Sequence, residues 1–324
     1  MRFINRTDVT TILAVAPEIV RPSVIDTYRF LDEKQAISAE TTVVPILNSA
    51  PSRFISLPAF VPESGGKRVA GTKWVSNFRG NVDRNEEPFQ SLLLVSDTDS
   101  GIPLACFEGI ELNLRRTAAS AYLAAECFGF NLDDGPVGLI GAGALAEAFC
   151  AELIQTYGGA HSVLVTDIIE ERADNLVKTL HEQGVKAAVE DSQTILRESN
   201  VIILGTSAEE PWIDIELLPT DHRLILHISA DDLPVEYFSQ VLNVTDRISD
   251  AASQSASLGK AIAQGLDPAD VLELPALIGR DKVSTSLPVV FSPFGLSVLD
   301  VALGERALSV AQARGIGIDW DHRG

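Results

Sequence analysis

The residues Gly141-Ala142-Gly143-Ala144-Leu145-Ala146 form a GxGxxA pattern directly after the apolar run VGLI and at the head of an alanine-rich stretch. Strand, glycine turn and helix in that order suit a pyrophosphate. The first glycine permits the tight turn, the second lets the backbone approach the phosphates, and Ala146 allows close helix–strand packing. The helix start then offers free N–H groups and a partial positive charge. The next apolar run, SVLVTD, ends on Asp167. A carboxylate there accepts hydrogen bonds from the adenosine ribose and repels a 2′-phosphate, favouring NAD over NADP. Arg172, a few residues on, works against that preference. Gly205-Thr206-Ser207 closes the VIIL run, at the kind of strand end where such cofactors lie. The expected cofactor is therefore NAD, held by Gly141, Ala142, Gly143, Ala144, Leu145, Asp167, Arg172, Thr206 and Ser207.

Three further places carry groups suited to a small anionic substrate. Lys73 interrupts the neutral run AGTKWVSNF. Turned inward it binds a carboxylate or moves a proton; turned outward it is a solvated lysine. Arg115 and Arg116 sit in an alanine- and leucine-rich stretch, where an arginine either clamps a carboxylate through its fork or reaches solvent along its own stem. Asp231 and Asp232 follow LILHIS, at the sheet edge where chemistry collects in such folds. A carboxylate there handles a proton beside the nicotinamide or caps a turn.

These groups need a scaffold, and the hydropathy pattern supplies one. Residues 6–34 read as a helix capped by Thr7 or Asp8. Across 41–100, TTVVPIL, RFISLPAF, GTKWVSNF and SLLLVSD, separated by turns, read as a mostly antiparallel sheet. The stretch 103–129 reads as helix. After NLDDGP the pattern alternates. VGLIG, SVLVTD, VKAAVE, VIILGTS, LILHIS and QVLNVT are buried strands, and 144–157 and 170–183 are helices. That is a parallel sheet covered on both faces. The expected fold class is α/β: a Rossmann dinucleotide-binding domain over 131–290 and a discontinuous α+β substrate and dimerisation domain built from 1–130 and 291–324.

The chain has 324 residues, 25 basic and 45 acidic, for a formal charge of −20. Such a surface repels phosphate backbones and argues against nucleic acid as a partner. No apolar run is long enough to span a bilayer, and the polar start MRFINRTDVT has no signal core, so a cytoplasmic location is expected. Cys106, Cys127 and Cys150 have wide spacing and apolar neighbours, which suits packing. The five histidines form no ligand motif, so no metal is expected.

Taken together, GTKWVSNFRGN, LACFEG, RRTAASAYLAA, GAGALA and FSPFGLSVLDVA resemble the ornithine cyclodeaminase/μ-crystallin family over nearly the whole chain. WVSNFRGN, PLACFEG, LHISADDL and FSPFGLSVLD look most like its branch acting in 2,3-diaminopropionate biosynthesis, a step of siderophore and antibiotic pathways. The resemblance implies a homodimeric oxidoreductase acting on an amino-acid CH–NH bond. In that branch, N-(2-amino-2-carboxyethyl)-L-glutamate is oxidised by NAD, and the imine hydrolyses to 2,3-diaminopropionate and 2-oxoglutarate. The family's substrate-contacting lysine falls on Lys73. Its carboxylate-binding arginine falls on Arg116 rather than Arg115. Its catalytic aspartate falls on Asp232 if LHIS-x-x-D-L is followed, and on Asp231 in a looser alignment. The chain departs from the family in TTVVPILN, which lacks an early substrate arginine. Arg53 matches a different arginine of the branch and is expected to bind substrate, and Arg79 offers a second compensation. The family also contains ornithine cyclodeaminases, imine reductases, amino-acid dehydrogenases and non-catalytic NAD(P)H-binding proteins.

Overall fold

The computed structural model describes residues 1–47, 52–64, 66–84, 86–159, 161–229, 231–253 and 256–321. The chain begins with β1 (Arg2–Ile4), α1 (Arg6–Val15), α2 (Val20–Asp32), β2 (Ile37–Ser38) and β3 (Thr42–Pro45). Next come β4 (Arg53–Ser64), β5 (Lys67–Asn77), β6 (Phe89–Asp97), β7 (Pro103–Glu108) and α3 (Ile110–Cys127). The alternating region holds β8 (Val137–Ile140), α4 (Ala144–Tyr157), β9 (Ser162–Thr166), α5 (Glu170–Glu182), β10 (Lys186–Val189), α6 (Ser192–Glu198) and β11 (Val201–Leu204). It continues through β12 (Leu224–His227), β13 (Leu242–Thr245), α7 (Ile248–Ser253), α8 (Ser257–Ala263), β14 (Val271–Glu273) and β15 (Val289–Phe291), before α9 (Ser297–Arg314) and β16 (Ile318–Asp319).

The chain forms two compact units, one of Met1–Thr117 with Leu296–Gly324 and the other of Ala118–Gly295. The divisions fall earlier than 130 and later than 290. The second half of α3 belongs with the second unit, where the Tyr122 hydroxyl donates to the Phe149 carbonyl at 3.2 Å. Residues 291–295 stay there too, because β15 pairs in parallel with both β12 and β13.

The first unit is built on a sheet ordered β16-β1-β7-β6-β5-β4-β2, with β3 beside β4. Its ladders are antiparallel except β1 with β7. The period-two pattern puts Val69, Lys73 and Asn77 on the buried face of β5. The helix α9 covers that face closely. A Cβ on Gly71 would stand 2.4 Å from the Leu94 carbonyl oxygen and 2.9 Å from Val301, and one on Gly304 would stand 2.7 Å from Leu93. The opposite face carries Val44 paired with Phe54, and Trp74 paired with Leu92. Phe54 stacks on Trp74 with centroids 5.3 Å apart, yet Trp74 and Leu92 remain 41% and 53% exposed.

The second unit is a parallel sheet ordered β10-β9-β8-β11-β12-β15-β13-β14. Its central strands β8, β11 and β12 are buried at every position, as their continuous apolar runs require. Ile202, Leu204, Ile225, Phe238 and Val290 form its core with Leu258 from α8.

Three local expectations change. PLACFE is strand β7 and not the start of a helix, because Ala105 and Phe107 are buried in alternation and Gly109 separates the strand from α3. The cap of the first helix is Asn5, whose side chain accepts from the Asp8 N–H while the Asp8 carboxylate accepts from the Asn5 N–H. Finally, VVF is a strand of the parallel sheet and precedes the return to the first unit. Its short length hid it from periodicity. Among the described residues no helix is long and apolar enough to cross a membrane.

Candidate active site

In the second unit the turn after β8 has the conformation its glycines allow. Gly141 has φ +101°, and a Cβ there would lie 2.6 Å from the Gly205 carbonyl oxygen. Only glycine lets the β8 and β11 ends meet this closely. Gly143 differs: it caps α4 in an extended conformation, with no side-chain hydrogen bond to the helix start. A Cβ placed on it would meet nothing within 4 Å. The first turn, beginning at Ala144 and Leu145, therefore presents uncapped N–H groups to a cradle left open by a missing side chain. Ala146 is buried against the sheet. Asp167 braces the turn, its carboxylate accepting from the Ala142 N–H at 2.7 Å and the Ile169 N–H at 2.8 Å. It is only half-buried and keeps lone pairs for ribose hydroxyls. Arg172 is exposed and lines a groove between α4 and α5 together with Ala142. These residues fit a dinucleotide: donors at the phosphates, space above Gly143 and a carboxylate at the ribose.

At the ends of β11 and β12 the side chains form a closed polar knot. The carboxylate of Asp232 accepts from the Thr206 hydroxyl at 2.5 Å and the Trp212 indole N–H at 2.6 Å. It also accepts from the Ser229 hydroxyl. The Asp232 N–H donates to His227 Nε2 at 3.3 Å, and Ser292 lies 3.3 Å from His227 Nδ1. Burial lowers the His227 pKa to about 4 despite the nearby carboxylates, so the ring is neutral and its Nε2 can accept. Asp232 has 0% exposure and meets the surroundings through its donors, the half-buried Thr206 and Ser229 and the exposed Trp212. Asp231 is the more open of the pair and lies 3.1 Å from Lys260. Ser207 is exposed beside Thr206.

In the first unit Lys73 and Arg116 meet, although they come from β5 and α3. Both are buried, at 5% and 4% exposure. The Lys73 ammonium donates to Asp300 at 2.7 Å and to the Asn113 amide oxygen at 2.8 Å. Arg116 donates through Nε to Asp300 at 3.2 Å and through Nη2 to the same Asn113 oxygen at 2.5 Å. The four side chains close a ring. Two cations share one carboxylate, leaving the quartet one positive charge in excess when Lys73 is protonated. Burial pulls the Lys73 pKa down to about 8; Asp300 opposes that shift and Arg116 adds to it. Such a lysine exchanges its proton near neutral pH, and such an arginine holds a carboxylate.

Arg53 is exposed at the start of β4. Its strand partner is Asn77, while Lys73 pairs with Leu57, so the period-two rule places Arg53 on the Lys73 face about 13 Å away. The side chain of Arg79 lies outside the described residues. Asp300 and Asn113 escaped sequence reading. The signal for Asp300 was an aspartate within the otherwise apolar SVLDVALG, the start of a helix buried almost all round. Asn113 precedes Arg116 by one helical turn, which puts both on one face.

Residues 42–307 match the model of the ornithine cyclodeaminase/mu-crystallin family. An alanine dehydrogenase of Archaeoglobus fulgidus is 24% identical over 76% of this chain and 79% of its own length. The N-((2S)-2-amino-2-carboxyethyl)-L-glutamate dehydrogenase of Staphylococcus aureus is 22% identical over 82% of this chain and 81% of its own. Among solved structures, the Delta(1)-pyrroline-2-carboxylate reductase of Thermococcus litoralis, in complex with NADH and L-proline, superposes with a TM-score of 0.88. It has 20% identity, and the match covers 99% of this chain and 100% of that one. The glycine turn, the parallel sheet that carries it and a family match over most of the length agree: the chain belongs to the ornithine cyclodeaminase/mu-crystallin family.

Proposed function

We propose that this protein is an NAD-dependent oxidoreductase that oxidises the amine-bearing α-carbon of an N-substituted amino acid. The leading substrate is N-(2-amino-2-carboxyethyl)-L-glutamate. With NAD⁺ and water it gives 2,3-diaminopropionate, 2-oxoglutarate, NADH and a proton. The observation that carries the reading is the buried Lys73–Arg116–Asp300–Asn113 ring, with its excess positive charge and near-neutral lysine. The choice of substrate draws support from the WVSNFRGN, PLACFEG and LHISADDL stretches and from the similarity to the Staphylococcus aureus relative.

Bound at Gly141–Leu145, Asp167, Arg172, Thr206 and Ser207, NAD supplies the hydride acceptor. Arg116 holds the carboxylate beside the reacting carbon. Lys73, as the neutral amine, takes the proton lost from the substrate nitrogen. Arg53 binds a second carboxylate. Asp232 acts as a positioning residue: it orients the hydroxyls of Thr206 and Ser229, and any proton it handles passes through them. Its burial keeps its carboxylate from the substrate itself. The protein works in the cytoplasm as a homodimer, with the exposed Trp74–Leu92 sheet face as the contact between copies.

A second reading, a dehydrogenase or imine reductase for a smaller amino acid, draws support from TTVVPILN, which lacks an early substrate arginine. Absorbance at 340 nm separates the two. Purified protein is given NAD⁺ with N-(2-amino-2-carboxyethyl)-L-glutamate, L-alanine, L-proline or L-ornithine, and NADH with a cyclic imine acid. The first substrate should give NADH together with 2-oxoglutarate. A kcat/KM at least 100-fold higher for alanine or the cyclic pair would reject it.

A further inference from the structure

The geometry points to Asp300 as a positioning residue of the site, which holds Lys73 and Arg116 at one fixed spacing and governs how tightly Lys73 keeps its proton. Asp300 is 1% exposed, and each of its oxygens receives one of the two cations. A carboxylate this deep is retained only with charged donors on it. Asn113 binds the same two cations from the opposite side through a single neutral oxygen. The ring thus has one charged bridge and one neutral bridge. The charged groups facing Lys73 are Asp300 from α9 and Arg116 from α3. Its register partners on β4 and β6 are Leu57 and Leu93, which carry no charge.

The arrangement has a consequence for ligand class. With Asp300 fixed inside, the quartet lacks one negative charge, so it matches a single ligand carboxylate. A second bridging carboxylate in place of Asn113 would remove that excess, and loss of Asp300 would double it. This rests on the proposed reading only for the use made of the site, because the protonation of Lys73 is measurable without turnover.

The test is a pH titration of lysine ¹³Cε signals in the purified, ligand-free protein. The Lys73 signal is identified by its loss in Lys73→Arg. The parent should titrate near 8. Asp300→Asn keeps the shape and removes the charge, and should lower the midpoint by about 1–3 units, the usual effect of an opposite charge at contact distance. Asn113→Asp should raise it by at least about one unit on the same ground, and this variant stands alone if Asp300→Asn does not fold. Asn113→Asp should also weaken capture of the ligand carboxylate, read as a KM increase of about tenfold or more with a smaller change in kcat. A Lys73 midpoint unmoved by either variant overturns the inference and leaves the proposed reaction standing. Normal shifts with no NADH from any substrate reject the reaction and leave the inference intact.

Discussion

Gly143→Asp should stabilise the fold and abolish cofactor binding at once. Gly143 occupies the N-cap of α4 in extended backbone, and its missing side chain opens onto empty space. Aspartate is among the best N-cap residues. Its carboxylate would accept from the first-turn N–H groups and favour the positive end of the helix, worth about 0.5 kcal/mol over glycine. The same N–H groups are the donors available to a pyrophosphate. Losing two charge-assisted hydrogen bonds, at about 1.5–3 kcal/mol each, costs roughly 3–6 kcal/mol, or about 10²- to 10⁴-fold in Kd. Gly141→Ala is the contrasting variant. Its Cβ would stand 2.6 Å from backbone oxygen at a φ of +101°, a strain of about 1–3 kcal/mol, so stability and binding should fall together. Urea unfolding and calorimetric titration with NADH measure the two quantities. If Gly143→Asp binds NADH within threefold of the parent, the phosphates do not lie over this helix start.

The remaining predictions concern the first unit. Lys73→Met should reduce turnover by about 10²- to 10⁴-fold. In the parent, amine oxidation should rise with pH and level off above about 8, because the neutral lysine accepts the proton. Stability follows with a definite sign: the folded Lys73 pKa of about 8 lies below its ordinary 10.5. Between those values the unfolded chain binds more protons, so the parent gains stability relative to Lys73→Met as pH rises through the window, and the penalty is full below it. Denaturant midpoints at pH 7 and 10.5 check this. Gly71→Ala should destabilise by about 1–3 kcal/mol through overpacking between β6 and α9, read from thermal unfolding. Leu92→Glu, on the exposed sheet face, should convert dimer to monomer in sedimentation while leaving NADH affinity unchanged.

Much of this molecule is legible in one dimension. The Rossmann unit shows because buried parallel strands are written as unbroken apolar runs, and because glycine and aspartate are needed at fixed points of its turn. Lys73 and Arg116 stand out as cations in neutral surroundings, and both are buried. What binds them to each other does not show. Asp300 is 227 positions from Lys73, and no local period reports such a contact. Asp232 illustrates the reverse problem. Its place at a strand end is readable, but two of its three hydrogen-bond donors, Thr206 and Trp212, reach it from the loop after another strand, β11. β7 was hidden because PLACFE runs straight into a helix, with a single glycine between two periodicities.

The ring that joins β5 to α9 also constrains how the protein is made. At about 5–20 residues per second, a ribosome that has finished Lys73 needs roughly 10–45 s more to reach Asp300. Throughout that interval the lysine has no counter-charge and its face of the sheet has no helix above it. The dinucleotide-binding unit, contiguous in sequence, is itself finished only at Gly295, five residues before Asp300. Catalytic competence therefore arrives late in translation, and nascent chains interrupted before α9 present an open apolar surface to chaperones and proteases.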